Sequence, residues 1–405
     1  MKILQIHKFF DFRGSGPEVY IPELMRRLEA RGHEVHIFST RSQNDRPTKD
    51  RDYFVTRYSL DRREGLFKDT QKAVNFIWNK EAKESLRKML WDIKPDAIHL
   101  HNIYHHLSSS ILSVIREYGA VCVQTLHDYK LACPNYKMYT QDALCERCKG
   151  GKYYQAVLHQ CLFNGRIPNI LAAFEMGMTK LVQSYERTVH KFICPSNFML
   201  NKMREWGEPP GKLIYIPNPV DIPSRISAER DTSPYVYIGR LYPEKGVELI
   251  IRAIARISEA KLKIAGEGHE RNRLEILAQT IAPGRIEFLG YQTGESLNAL
   301  RSTARALLVP SLWYENAPLT ALEALANGVP VIGSDIGGIP ELISDGLSGL
   351  IAKPNKIDSW IEAICQMQTY TSDQRKAMGD AGREFVSKNM NWDKHLDDLI
   401  KIYQG

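Results

Sequence analysis

The chain has 405 residues, too many for one ordinary core and enough for two domains of about 150 to 200 residues each. Hydrophobic residues at 43% and charged residues at 25% match a folded globular protein and exclude a largely disordered or collagen-like polymer. The net charge of +7 is uneven: residues 1–215 hold 33 Lys and Arg against 23 Asp and Glu, whereas the rest hold 21 against 24, so the front half is expected to face something anionic.

Met1 to His7 reads as an apolar strand, followed by a turn with Gly14 and Gly16, a helical pattern over Val19 to Arg31 and a second strand from Val35 to Ser39. Strand, glycine turn, helix and strand open a doubly wound nucleotide-binding sheet, although the glycine spacing departs from the dinucleotide fingerprint. The N-terminus lacks the apolar run of a signal peptide, and no stretch approaches the ~18 apolar residues needed to cross a bilayer, so a cytoplasmic protein is expected. Residues 41–63, rich in arginine, read as a solvated loop or as a contact for a membrane or acceptor. Asp50 and Asp52 lie there among cations and do not make a metal site. One helical stretch is expected over 66–91, then strands from Ala97 to His101 and from Val121 to Leu126.

Pro217 and Pro219, in the segment after Ile214, break helix and strand alike and place a domain boundary between 215 and 216. A second alternation follows, with strands at Tyr235 to Ile238, Lys261 to Ala265, Ile286 to Leu289, Ala306 to Pro310, Val331 to Gly333 and Gly349 to Ile351. Helices are expected at Val247 to Ile257, Asn272 to Thr280 and Trp392 to Tyr403. Alternation in both halves predicts two parallel-sheet domains, residues 1–215 and 216–385, with a closing helical segment over 386–405. Ligands in such sheets bind beyond the carboxyl ends of strands, so the interdomain cleft is the default site.

Two strand-to-helix loops of the second half carry the sharpest chemistry. Gly239, Arg240 and Lys245 follow the strand ending at Ile238, and two cations beside a helix N-terminus suit a diphosphate without requiring a metal. Glu315 and Glu323 flank the run Asn316, Ala317, Pro318, Leu319 and Thr320. With Pro318 in the first helical turn, the amides of Ala317 to Thr320 open toward the cleft, and each carboxylate can grip sugar hydroxyls through charge-assisted hydrogen bonds. In the first half, His127 and Asp128 just after a buried strand can orient hydroxyls or shuttle protons, or can be structural.

Cys133, Cys145, Cys148 and Cys161 fall in an insertion over about 130–166 that is poor in apolar residues. Their spacing fits a structural zinc, with His159 as a substitute ligand, while reduced free thiols or a redox pair are the alternatives. His99, His101, His105 and His106 are expected to pack at a strand end or touch an acceptor rather than bind metal.

The motifs GRLYPEKG, GEG at Gly266 to Gly268, FLG at Phe288 to Gly290, ENAPLTALEALANGVPVIGSDIGGIPELI and the early RGHEV together resemble the retaining glycosyltransferases of family 4. The resemblance spans almost the whole chain. It implies an α/β GT-B fold, two Rossmann-like doubly wound domains about a cleft, and transfer of a sugar from a nucleotide-diphosphate donor with retention and without an obligatory metal. Position by position, it implies that Arg240 and Lys245 neutralise the diphosphate, that Glu315 contacts the transferred sugar and that Glu323 holds the ribose. It further implies amides from Asn316 to Thr320 on the phosphate or sugar, Gly266, Gly268, Phe288, Leu289 and Gly290 beside the base, Gly14 and Gly16 at the diphosphate edge, and His127 at the reacting sugar. The base stays open between uridine, guanosine and others. The expected acceptor is a glycan or lipid-linked glycoconjugate of surface polysaccharide synthesis, with the basic half resting on the inner face of an anionic membrane. The alternatives are transfer to a small sugar phosphate and a nucleotide-sugar epimerase of the same architecture, which the glutamate pair disfavours. Nucleic acid is not an expected partner, because no nucleic-acid-binding signature accompanies the charge.

Overall fold

The structure, a computed structural model, describes residues 1–12, 16–59, 64–162, 165–224 and 233–405. In the first half the elements are β1 (Lys2–Ile6), α1 (Pro17–Ala30), β2 (Glu34–Phe38), β3 (Thr40–Arg41), β4 (Val55–Thr56), α2 (Leu66–Ile77), α3 (Lys80–Ile93), β5 (Ala97–Leu100), α4 (Ser110–Tyr118) and β6 (Val121–Thr125). They continue as β7 (Tyr139–Thr140), β8 (Ala143–Leu144), α5 (Tyr154–His159), α6 (Arg166–Leu181), α7 (Ser184–Thr188), β9 (Lys191–Cys194), α8 (Asn197–Glu205) and β10 (Leu213–Tyr215). Six of the strands form one parallel sheet in the order β10-β9-β6-β5-β1-β2. Ile3, Leu4, Ile6, Ile98 and Val123 are fully buried in it, the continuous apolar pattern of a sheet covered on both faces.

The second half runs β11 (Tyr235–Ile238), α9 (Val247–Ala255), β12 (Leu262–Ala265), α10 (Arg271–Ile281), β13 (Ile286–Gly290), α11 (Gly294–Ser302), β14 (Leu307–Val309), α12 (Leu319–Ala326), β15 (Val331–Ser334), β16 (Gly349–Ala352), α13 (Ile357–Thr369), α14 (Ser372–Asn389) and α15 (Trp392–Tyr403). Its parallel sheet has the order β13-β12-β11-β14-β15-β16. The order reverses between β11 and β14 here, and between β1 and β5 in the first sheet. At such a reversal the loops leave in opposite directions and open a crevice at the carboxyl ends.

Three local features depart from the sequence reading. The helix expected over 66–91 is two helices, because Asn79 is fully buried, caps α3 through Oδ1 on the Ala82 N–H and donates Nδ2 to the His106 carbonyl. The arginine-rich segment is tied down: β3 pairs with β4, Arg46 donates to the Asp11 carbonyl and Arg57 grips the Asp11 carboxylate with two nitrogens. Residues 60–63 of that segment lie outside the described residues. Strands β9 and β10, which no sequence pattern marks, complete the edge of the first sheet.

The terminal helix α15 packs on the first half. Trp392, Leu396, Leu399 and Tyr403 share a core with Ile3, Leu24 and Val123, and Tyr403 Oη lies 2.6 Å from His99 Nδ1. His395 donates Nδ1–H to the Pro217 carbonyl, which can only accept, so Nε2 takes the proton of Tyr20 Oη at 2.7 Å. One histidine thus joins the first helix, the linker and the C-terminal helix.

Candidate active site

The loop after β11 carries the two cations. Gly246 closes it at φ +66°, a left-handed conformation, and a Cβ there would meet the Pro310 carbonyl oxygen at 2.1 Å, so only glycine fits between this loop and the one after β14. The Tyr237 hydroxyl donates to the Arg240 carbonyl at 2.8 Å and shapes the turn. Arg240 is exposed, lies 5.3 Å from the Tyr242 ring, and has no carboxylate within ion-pair distance among the described residues. Lys245 Nζ instead donates to Glu315 Oε1 at 2.5 Å, and Ser311 Oγ donates to the same oxygen at 2.8 Å.

Glu315 is 7% exposed. Burial alone would raise its carboxyl; the Lys245 ammonium, with the hydrogen bonds of Lys245 and Ser311, outweighs this and holds it below the usual carboxylate range. Trp313, on the same loop, pulls the Glu315 carboxyl in the same direction, and its ring lies 5.2 Å from Lys245 Nζ. The loop is locked from behind. Gly338 N–H donates to the Glu315 carbonyl at 2.7 Å, and a Cβ on Gly338 would meet the Asn316 carbonyl oxygen at 1.9 Å. Asn316 reaches across the cleft, donating Nδ2 to the Leu126 carbonyl at 2.7 Å and accepting from Ser196 Oγ at 2.8 Å.

A cavity of about 270 Å³ gathers Gly239, Arg240, Lys245, Glu315 and the run from Asn316 to Thr320, with Gly16, Tyr20, His127 and Asp128 from the first domain. His127 Nε2 lies 2.9 Å from His101 Nδ1, and burial pushes the His127 imidazole down to about 3, so it is neutral near pH 7. Asp128 accepts from the Tyr104 hydroxyl, from Asn102 Nδ2 at 3.0 Å and from the Lys130 N–H at 3.0 Å. Gly14 lies outside the described residues.

The remaining expected residues stand apart. Glu323 lines a neighbouring cavity, paired with buried Arg301 at 2.6 Å; burial raises its carboxyl, and Arg301 opposes the shift. Gly266, Gly268, Phe288, Leu289 and Gly290 are not in the lining of the central cavity. The first two have a packing reason to be glycine, since a Cβ at Gly266 would meet the Gly239 carbonyl oxygen at 1.8 Å and one at Gly268 the Leu241 oxygen at 2.2 Å. Their close approach sets the loop that bears Arg240.

The insertion folds around the β7–β8 hairpin and reaches the second domain through Lys137 Nζ on Glu244 at 2.8 Å and Glu146 accepting from Tyr314 Oη at 2.9 Å. Its four cysteines are free thiols. Cys133 donates its S–H to Asn135 Oδ1, and burial pushes Cys133 up to about 11 and Cys148 up to about 12. Among the described residues no group of three or more His, Cys, Asp or Glu side chains is set to hold a metal ion, these cysteines included.

Tyr20, Tyr237 and Ser196 also belong to this region, though no sequence motif marks them. Ser196 follows β9, an unnamed strand, and Tyr20 lies in an amphipathic helix where an aromatic reads as core.

Residues 14–223 match the family model described as Glycosyltransferase Family 4, and residues 224–385 match the model described as Glycosyl transferases group 1. An uncharacterized glycosyltransferase of Methanocaldococcus jannaschii is 31% identical over 183 residues, 44% of this chain and 46% of that protein. The chain thus spans about half the length of the curated relatives it matches. Sucrose-phosphate synthase from Thermosynechococcus elongatus has a similar structure, with a TM-score of 0.75 at 21% identity over 100% of this chain and 98% of that one. Anabaena HepE, solved in complex with UDP and glucose, has a TM-score of 0.69 at 15% identity over 99% and 98% of the two chains. At these identities the likeness establishes the GT-B fold.

Proposed function

The chain belongs to glycosyltransferase family 4, and we propose that it transfers a sugar from a nucleotide-diphosphate donor to a glycan or lipid-linked acceptor with retention of anomeric configuration. The observation that carries this reading is the single cavity in which Arg240, Lys245 and Glu315 from the second domain meet His127 from the first. A nucleotide-sugar donor is supported by the structural neighbour solved with UDP and glucose.

Each residue has a role that follows from its environment. Arg240 and Lys245 stabilise the departing diphosphate, the charge that grows in the transition state. Arg240 does so with no ion-pair partner among the described residues, and Lys245 while already held by Glu315. Because two fixed cations flank the site, no metal is required to neutralise the leaving group. Glu315, ionised and anchored through Oε1, holds the hydroxyls of the transferred sugar, and Glu323 beside Arg301 holds the ribose. Neutral His127 accepts or donates one hydrogen bond to the sugar without adding charge. The acceptor oxygen attacks the face from which the diphosphate leaves, and closure of the two domains excludes water.

The test of stereochemistry is nuclear magnetic resonance of the first-formed product from an α-linked donor, in buffer with excess chelator. A product of α configuration formed at an undiminished rate is expected. A β product contradicts retention, and loss of activity restored by a divalent cation contradicts metal independence.

A further inference from the structure

Helix α6 keeps its larger apolar side chains outside. Its inward face is mixed: Asn169, Glu175 and Thr179 are buried beside Ala172 and Met176, and Glu175 pairs with Lys130 Nζ at 2.7 Å. Its outward face carries Ile167, Ile170, Phe174, Met178 and Leu181, between 41% and 77% exposed. Their spacing of three and four residues makes one continuous stripe, and the only other exposed residue of the helix is Arg166.

The neighbours extend the stripe. Helices α2 and α5 both pack against α6. Phe67 and Val74 on α2, with Trp78 just beyond it, are 84%, 57% and 46% exposed, and Tyr154 and Leu158 are the exposed residues of α5. An exposed apolar surface built from three adjacent helices marks an interaction site. Cations predominate around it: Lys68, Lys80, Lys152 and Arg166 are exposed and have no carboxylate within 4 Å among the described residues. Asp69 and Glu64 are spent on Lys72.

We propose that the α2, α5 and α6 face docks this protein on an anionic lipid surface, with the apolar stripe inserted at the headgroup boundary and the lysines and Arg166 on lipid phosphates. Apolar burial with a basic rim is how an interfacial helix binds anionic bilayers, the cations near the surface adding to the attraction. A second copy of this chain would bring the same cations against one another, which disfavours self-association as the use of this face. The arginines of the 41–59 segment are occupied by protein carbonyls and carboxylates, so the contact falls on these helices instead.

The same helices back the catalytic cleft. Lys130, held by Glu175 of α6, stands two residues from cavity-lining Asp128, and Phe76 of α2 stacks on His105 at 4.2 Å. Docking by this face sets the first-domain wall of the cleft beside the bilayer, which deepens the lipid-linked reading of the acceptor but is tested without any transfer reaction.

The experiment is co-sedimentation of the full chain with vesicles of phosphatidylcholine alone or with 30 mol% phosphatidylglycerol, about, at low and high salt, beside Ile170→Glu/Phe174→Glu and Leu181→Glu. Wild type is expected to bind the anionic vesicles, to keep part of that binding at high salt, and to lose it at least about tenfold in each variant with thermal stability unchanged. Wild type remaining in the supernatant with anionic vesicles, or variants binding as well as wild type, overturns the proposal. So does sedimentation velocity without lipid showing a wild-type dimer that the variants dissolve. Nucleotide binding measured on the same samples separates failure of docking from failure of the transferase reading.

Discussion

Lys245 Nζ and Glu315 Oε1 are 2.5 Å apart, an ion pair that joins the loop after β11 to the loop after β14 across the switch point of the second sheet. The side chains are 17% and 9% exposed, so each ion depends on the other for much of its solvation. Truncating one partner leaves a buried charge, a loss of about 3 kcal/mol or more. Lys245→Ala is therefore expected to lower both stability and turnover, the latter by ~10²-fold or more. The double variant Lys245→Ala/Glu315→Gln should regain stability but not turnover. Denaturant melts of the four proteins in this cycle check the coupling; additive losses would show that the pair is not coupled.

Acid should destabilise the protein well before its carboxylates titrate. Burial pushes His106 and His127 down to about 3 and His395 down to about 4. Their folded values lie below the unfolded one, so the unfolded chain takes up protons first and stability falls as pH drops through the unfolded value toward the folded ones. Between pH 6.5 and 5 each contributes a loss of up to ~2 kcal/mol. Urea unfolding at pH 7.5, 6 and 5 should show a steep decline with little change in the denaturant slope. Equal stability at all three would contradict these burials.

Gly338→Ala is expected to act on Glu315 without touching a ligand. The new Cβ has no room against the Asn316 carbonyl oxygen, so the 315–316 loop must move by a substantial fraction of an ångström. Displacement of that size in a positioning loop costs up to ~10²-fold in kcat/KM. Far-ultraviolet circular dichroism should be unchanged, and activity near wild type would show that the loop tolerates the shift.

Glu323→Gln separates binding from chemistry. Arg301 keeps an acceptor, while the charge that the proposed role offers to ribose hydroxyls is lost. KM for the donor should rise about tenfold with kcat within a few-fold. A large fall in kcat at constant KM would place Glu323 at the reacting centre instead.

The strand and helix alternation was readable because interior parallel strands are short, mainly apolar runs bounded by turns, as Tyr235–Ile238 and Val331–Ser334 are. The loops bearing Arg240, Lys245 and Glu315, which line the central cavity, could be singled out because ligands in such sheets bind after strands. Three features were hidden for physical reasons. Asn79 breaks a helical pattern through a tertiary bond to His106, which no local periodicity records. The packing that requires glycine at Gly266 and Gly268, backbone of one loop against backbone of another, is tertiary and leaves no local pattern. The outward stripe of α6 has the same spacing as a core stripe, and only exposure tells them apart.

The central claim is that the cavity between the domains takes a nucleotide-diphosphate sugar through Arg240 and Lys245. Nucleotide release from a panel of uridine, guanosine, adenosine and thymidine diphosphate sugars, with and without membrane lipid extract, tests it most directly. Release from one donor class is expected, stimulated by extract and reduced at least ~10²-fold in Arg240→Ala. Release that is equal in Arg240→Ala and wild type, or no release and no nucleotide binding across the panel, would contradict it.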